Sequence, residues 1–272
     1  VALSAWSKTE ISDHLELGNP GYWLSVGLET KVCHAALIRK TEKAKEGFAI
    51  EFSTDEVRDT TEITVYSPDH PGLFSAIAGA MALCGASIVD AKVQTLSNGM
   101  ALDSFWIHDN ERTAYRNLRD LNRIQERLED AIQGKISPAI ELEKAQKLAP
   151  SSRIRVFKVA PRVLIDNRAS RNHTVIEINS RDRLALLHDV TTSITYNGLQ
   201  ISSAHISTYG ERVVDVFYVK DVFGLKVDSE RKIDTVRKAL MEAIGGEVAK
   251  PKKAKATAIL KKVAKSTKVV KL

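Results

Sequence analysis

The sequence predicts an α+β fold in which one unit occurs twice in tandem. The first observation is an internal repeat: the stretch Glu62–Asp109 matches Thr174–Asp221 at an offset of 113 residues, and at 112 after one deletion. Asp69, Leu73, Gly85, Ile88, Ala91 and Thr95 thereby meet Asp182, Leu186, Gly198, Ile201, Ala204 and Thr208, and Asp103 and Phe105 meet Asp215 and Phe217. The second is that both copies run through the same order of hydrophobic periods, two and then about 3.6. The third is the Ser97-Asn98-Gly99 joint, whose Asn-Gly pair is a strong signal for a tight hairpin.

Each unit opens on an alternating run, Ile63 and Val65 or Ile176 and Ile178, which predicts a strand with one buried face. Turn chemistry follows at Pro68-Asp69-His70-Pro71-Gly72 and at Ser180-Arg181-Asp182. Leu73, Ile77, Met81 and Cys84, and Leu186, Val190 and Ile194, then recur at helical spacing. Pro71 suits a first helical turn, and Gly85 and Gly198 fall where helices end in a left-handed residue. A hairpin comes next, Ser87–Thr95 with Ala101–His108 and Gln200–Thr208 with Arg212–Lys220. A second helix follows, carrying Leu118, Leu121, Leu128 and Ile132 or Ile233, Val236 and Leu240. Strand, helix, hairpin and helix make a ferredoxin-like split βαβ that needs one more strand to close. Arg153–Val159 or Arg162–Ile165 could close the first unit, and the second could borrow one of those segments.

Composition bounds the rest. With 272 residues, 43% of them hydrophobic, the chain can bury two cores. Cys33 and Cys84 cannot form a disulfide framework, and no apolar run approaches a membrane span or a signal peptide. A cytoplasmic protein is expected. The chain opens on Val1 and its first methionine is Met81, so a fragment of a longer protein is expected too. Nine lysines and no acid lie between Ala249 and Leu272, which turns the net charge of +6 into −3 for the 248 residues before them. Residues 247–272 are therefore expected to be a flexible, Lys-rich tail. Without interleaved aromatics a nucleic-acid partner is not expected.

Asp-x-Pro-Gly-Leu-Phe at Asp69–Phe74, inside this pattern, resembles the start of an ACT domain, a small-molecule-sensing module. The joining segment Arg162–Ser170, followed by Thr174–Ile178, is similar to the bridge between the two ACT domains of bacterial bifunctional PII-protein uridylyltransferase/uridylyl-removing enzymes. Gly21-Tyr22-Trp23-Leu24 and His34-Ala35 resemble the linker after that family's hydrolase domain. The resemblance spans about Gly21 to Ala243 and implies the family's C-terminal tandem of βαββαβ (ACT) domains. It implies residues 1–59 as a linker-like segment behind a hydrolase domain that this chain lacks, with ACT domains at 60–166 and 171–246. It further implies glutamine as ligand, PII as a partner through the full-length enzyme, and magnesium only for the catalytic domains. ACT–ACT self-association is a further expectation.

No phosphate loop with paired aspartates is present, so the chain alone is expected to carry neither activity and no catalytic residue. His108-Asp109 and His188-Asp189 lack the further ligands of a metal site, and no metal is expected. Cys84 reads as a buried structural thiol, and His34 beside Cys33 as local packing. The expected ligand-binding residues are those of the two strand-to-helix turns: Asp69, His70, Gly72 and Leu73, and Asp182, Arg183, Ala185 and Leu186. Asp can serve the helix entry itself, or the turn can hold an amino acid with its carboxylate on backbone N–H groups and its ammonium on the acid. His70 and Arg183 could select among side chains. In the second unit Leu184-Ala185 replaces Pro71-Gly72, so its backbone is expected to approach a ligand less closely. Asp103 and Asp215, alternating with Phe105 and Phe217, read chiefly as structural. The alternative to a sensor attached to an enzyme is a stand-alone regulatory or dimerisation module binding another amino acid.

Overall fold

The structure, a computed structural model, describes residues 6–18, 20–148, 160–209 and 212–245. Three helices come first: α1 (Lys8–Leu17), α2 (Pro20–Ser25) and α3 (Leu28–Ala44). The first unit follows with β1 (Ala49–Asp55), β2 (Thr60–Pro68), α4 (Leu73–Leu83), β3 (Ser87–Lys92), β4 (Met100–His108), α5 (Leu118–Ile132) and α6 (Pro138–Leu148). The second contains β5 (Arg162–Asp166), β6 (Thr174–Arg181), α7 (Leu186–Tyr196), β7 (Leu199–His205), β8 (Thr208–Tyr209), β9 (Arg212–Asp221) and α8 (Glu230–Ala243). The α+β class and the tandem of ferredoxin-like units agree with the sequence reading.

All the strands join one antiparallel sheet in the order β1-β2-β4-β3-β7-β9-β6-β5, with the short β8 on β9. The two halves meet at β3 and β7, where Ala91 pairs with Ala204, Asp90 with His205 and Lys92 with Ser203. Ala91 and Ala204 are equivalent in the repeat, so a local twofold axis passes between them. Each hairpin is bulged at the equivalent residue, Val89 or Ser202. The two bulge carbonyls accept reciprocal bonds across the junction, from Ile206 N to Val89 O and from Val93 N to Ser202 O, both 3.3 Å. Methyl side chains at the axis let the strands approach without a volume conflict.

The closing strand of the first unit differs from the sequence expectation, whereas that of the second is one of the two segments it was expected to borrow. The first unit is closed by β1, which lies in the segment read as a linker, and Arg162–Asp166 pairs with β6 of the second unit. Arg153–Val159 lies outside the described residues. In each half the edge strand thus precedes the central strand instead of ending the unit. Loop closure explains the choice for the first: β1 reaches β2 through four residues, whereas β5 would have to return across α5 and α6. Asp55 builds that turn by accepting from the N–H groups of Val57 and Arg58.

One core runs under both halves, built from Ile63, Val65, Ile77, Met81, Phe105, Ile124 and Leu128 and from Ile176, Ile178, Val190, Ile194, Phe217, Val236 and Leu240. A second, smaller core is formed by Tyr22, Val26, Leu37 and Ile38 against Tyr66, Leu96 and Leu102. It lies on the opposite face of the first half-sheet, because Tyr66 and Leu102 alternate with the inward residues of their strands. Helices α1, α2 and α3 therefore pack on the sheet, in a segment expected from the sequence to be linker-like. Residues 246–272, which include the Lys-rich tail, lie outside the described residues. Among the described residues no helix is long and apolar enough to cross a membrane.

Candidate functional site

The two strand-to-helix turns adopt the same conformation. Gly72 precedes α4 at φ 94° and Ala185 precedes α7 at φ 66°, both left-handed. Glycine tolerates this region freely; an alanine there costs about 1–2 kcal/mol. The missing Pro-Gly in the second unit therefore does not change the turn's shape. It places a strained, buried Ala185 in the same path instead.

Both helices begin without a side-chain cap, whereas α1, α5 and α8 are capped by Ser7, Asn117 and Ser229. An uncapped N-terminus leaves N–H donors and the positive end of the helix dipole available to an anion. In the first turn Asp69 N donates to Gly99 O at 3.1 Å and Thr95 Oγ1 donates to Asp69 Oδ2, so the acid ties the turn to the β3–β4 hairpin. His70 is exposed, with its Nδ1 turned back to the Pro71 carbonyl at 3.1 Å. In the second turn Arg183 is already engaged: it donates to Ala243 O at 2.7 Å and pairs with Asp189 at 2.6 Å. Asp182 faces solvent but is crowded enough that desolvation lifts its carboxyl above the usual range. Leu73 and Leu186 point into the core, so of the expected site residues they contribute backbone and not side chain.

Beneath each turn lies a buried acid. Asp103 and Asp215 are each 1% exposed, on the inward faces of β4 and β9. Each accepts one backbone bond from equivalent positions, Gln94 N to Asp103 Oδ1 at 3.2 Å and Ser207 N to Asp215 Oδ1 at 3.3 Å. Burial pushes both carboxyls up to about 8, partly offset by the backbone bond, while Asp69 above Asp103 and Asp182 above Asp215 push in the same direction as burial. Both are protonated at neutral pH. On the adjacent central strands Ser67 and Ser180 share that inward face, 0% and 1% exposed. Ser67 Oγ has no hydrogen-bond partner among the described residues, and Ser180 Oγ has a 3.4 Å contact with Arg181 O. The serines carry no sequence signal beyond sharing a repeat position, whereas an acid between apolar residues on an inward face is a legible anomaly.

The remaining candidates are structural. Asp109 closes a turn by accepting from Glu111 N and Thr113 N, and His108 bonds the Asp109 carbonyl. Cys84 is buried, and its thiol is raised by desolvation. His34 is buried between Tyr22 Oη and Ser104 Oγ, at 3.1 and 3.3 Å. Among the described residues no group of three or more His, Cys, Asp or Glu is placed to hold a metal ion.

A doubled ferredoxin-like unit with two uncapped helix entries is consistent with tandem ACT-type domains. In agreement, residues 169–246 match the family described as the ACR family N-terminal ACT domain. Most of the chain is homologous to bifunctional uridylyltransferase/uridylyl-removing enzymes. It is 44% identical to that of Gluconobacter oxydans over 237 residues, 87% of this chain and 25% of the relative. For Azospirillum brasilense the identity is 46% over 243 residues, covering 89% and 26%, and for Rhodospirillum rubrum 44% over 247 residues, covering 90% and 26%. The chain thus spans about a quarter of the length of the curated relatives it matches.

Proposed function

We propose that this chain is the amino-acid-sensing region of a PII uridylyltransferase/uridylyl-removing enzyme and that glutamine is its ligand. On this reading glutamine binding shifts the linked enzyme between attaching UMP to PII and removing it, in the cytoplasm, with magnesium serving only the catalytic domains. The observation that carries the reading is the pair of uncapped helix N-termini, each beside an acid, within ACT-type units. One end of each turn suits a carboxylate and the other an ammonium, the two charges of a free amino acid. The identity to relatives whose names state both activities supports the enzyme context, and glutamine comes from the family resemblance.

A ligand can shift such an equilibrium only by its differential affinity for two arrangements, about 1.4 kcal/mol for each factor of ten. The continuous sheet gives a route for that difference, since the turns of both halves bear on helices α4 and α7, which pack together at the junction. The same junction uses up the β3 and β7 edges within one chain, leaving β1 and β5 for any self-association. Thermal denaturation with each of the twenty amino acids tests the proposal. Glutamine at a hundredfold excess over its Kd should stabilise the fold by about 2.7 kcal/mol. If no amino acid raises Tm, the sensing role is wrong.

A further inference from the structure

The proposed sensing role places a ligand at the two turns but gives no task to the acids buried beneath them. Nothing in the packing requires an acid there. Phe105 and Phe217 two residues further on fill the same face with apolar surface, and a buried carboxyl with one long backbone bond is costly wherever an alternative exists. The arrangement nevertheless occurs twice with the same parts: a buried acid, a backbone donor from the hairpin, a buried serine on the neighbouring strand and an acid in the turn above. In the first unit the Ser67 hydroxyl is fully buried without a partner among the described residues, a polar group left without the hydrogen bond that buried hydroxyls normally make.

We infer that Asp103 and Asp215 receive the ammonium group of the bound amino acid together with the turn acids Asp69 and Asp182, so that each site extends beneath its turn instead of ending at it. The ligand carboxylate then meets the uncapped end of α4 or α7, and Ser67 or Ser180 supplies a further bond to the ammonium. Access requires the turn to lift, which in the first unit breaks the Thr95–Asp69 bond. As the ammonium docks, the carboxyl proton leaves to solvent and a carboxylate–ammonium pair replaces the neutral acid. The charged group acting on Asp103 is Asp69 from the turn; β2 offers Val65 and Ser67, the hairpin the Gln94 N–H, and α4 the apolar Leu73 and Phe74. Around Asp215 the corresponding groups are Asp182, Ile178 and Ser180, the Ser207 N–H and Leu186. None of these groups is a fixed cation that would compete with the ligand for either acid.

This inference rests on the sensing role, and the test separates the two. Glutamine is titrated calorimetrically into the full chain at pH 7 in buffers of different ionisation enthalpy, with 4-carbamoylbutanoate, which lacks the amino group, as the control probe. The expected result is release of about one proton per occupied site with glutamine and none with the control. Asp103→Asn and Asp215→Asn should each remove one site's proton and weaken that site at least tenfold, with circular dichroism verifying the fold. Glutamine binding without proton release, and undiminished in the folded double variant, would overturn the inference and leave the sensing role standing. Absence of heat with glutamine and every other amino acid would remove both.

Discussion

The Nδ1 atom of His188 lies 2.8 Å from the backbone carbonyl of Ser75, and the two residues occupy the same position of the repeat, 113 residues apart. The local twofold axis brings equivalent positions of α4 and α7 face to face, and the sequence breaks the symmetry there with a small residue on one side and an imidazole on the other. Gly79 makes the room: a Cβ at that position would stand 2.9 Å from His188 Nδ1 and 2.7 Å from Pro138 Cβ. Since a carbonyl can only accept, His188 carries its proton on Nδ1 in this contact.

Gly79→Ala should therefore destabilise the chain by about 1–3 kcal/mol, the usual cost of overpacking. His188→Ala should relieve part of that cost and not all of it, because Pro138 remains. A double-mutant cycle by urea denaturation checks this, and additivity within about 0.3–0.5 kcal/mol would show that the two positions do not touch.

The two turns predict substitutions of opposite sign. Ala185→Gly removes the strain of a left-handed alanine and should stabilise by about 1 kcal/mol, less whatever the added freedom of the unfolded chain takes back. Gly72→Ala should destabilise by a similar amount, through φ alone, because the nearest atom to its new Cβ is Ser75 Oγ at 3.7 Å. A β-branched residue at either position would strain the backbone further and confuse folding with binding. Chemical denaturation of both variants measures the signs.

The buried acids and His34 predict pH dependence in opposite directions. Asp103 and Asp215 have folded pKa values raised to about 8 from the ordinary 3.8, so the folded state holds protons that the unfolded state has lost. Their contribution is present below the unfolded value and is lost as pH rises through about 8. Asp103→Asn should gain stability relative to the parent chain as pH rises from about 4 to about 8, as followed by Tm across that range. A difference that stays flat would mean that the acid is not buried.

His34 behaves in the other sense. Burial between Tyr22 and Ser104 lowers it to about 4 from 6.5, helped by His14 and Lys92. Its contribution is present above the unfolded value and is lost as pH falls through about 4. Acidification should free the N-terminal helices from the sheet before the core melts. Hydrogen exchange of α3 at pH 4 and pH 7 checks this, and equal protection at both would contradict it.

What the sequence disclosed depended on how much of each signal was local. The repeat, the helices at Leu73 and Leu186 and the hairpins were legible because their periods of 3.6 and 2 are written in consecutive residues. The pairing of β1 and β5 was not, since Ile50 and Phe52 alternate over one short edge strand and no strand's own pattern names its neighbour. The helices before residue 45 were missed because only His34, Ala35, Leu37, Ile38 and Thr41 of α3 line a buried stripe, within a largely polar stretch. Of the site, the turns and their acids were legible from Asp69 and Asp182. The contacts of Arg183, named as a candidate from its place beside Asp182, were not, because its tie to Ala243 joins the turn to a helix sixty residues away. Asp103 and Asp215 stood out as acids among apolar neighbours, but only the fold sets them beneath the turns.

Isothermal titration of the chain with glutamine and the other amino acids tests the central claim most directly. The account predicts saturable heat with glutamine, weakened at least tenfold, about 1.4 kcal/mol, by Asp69→Ala or Asp182→Ala in variants that remain folded. Saturable binding that neither substitution changes would move the ligand away from both turns, and no saturable heat with any amino acid would contradict the account.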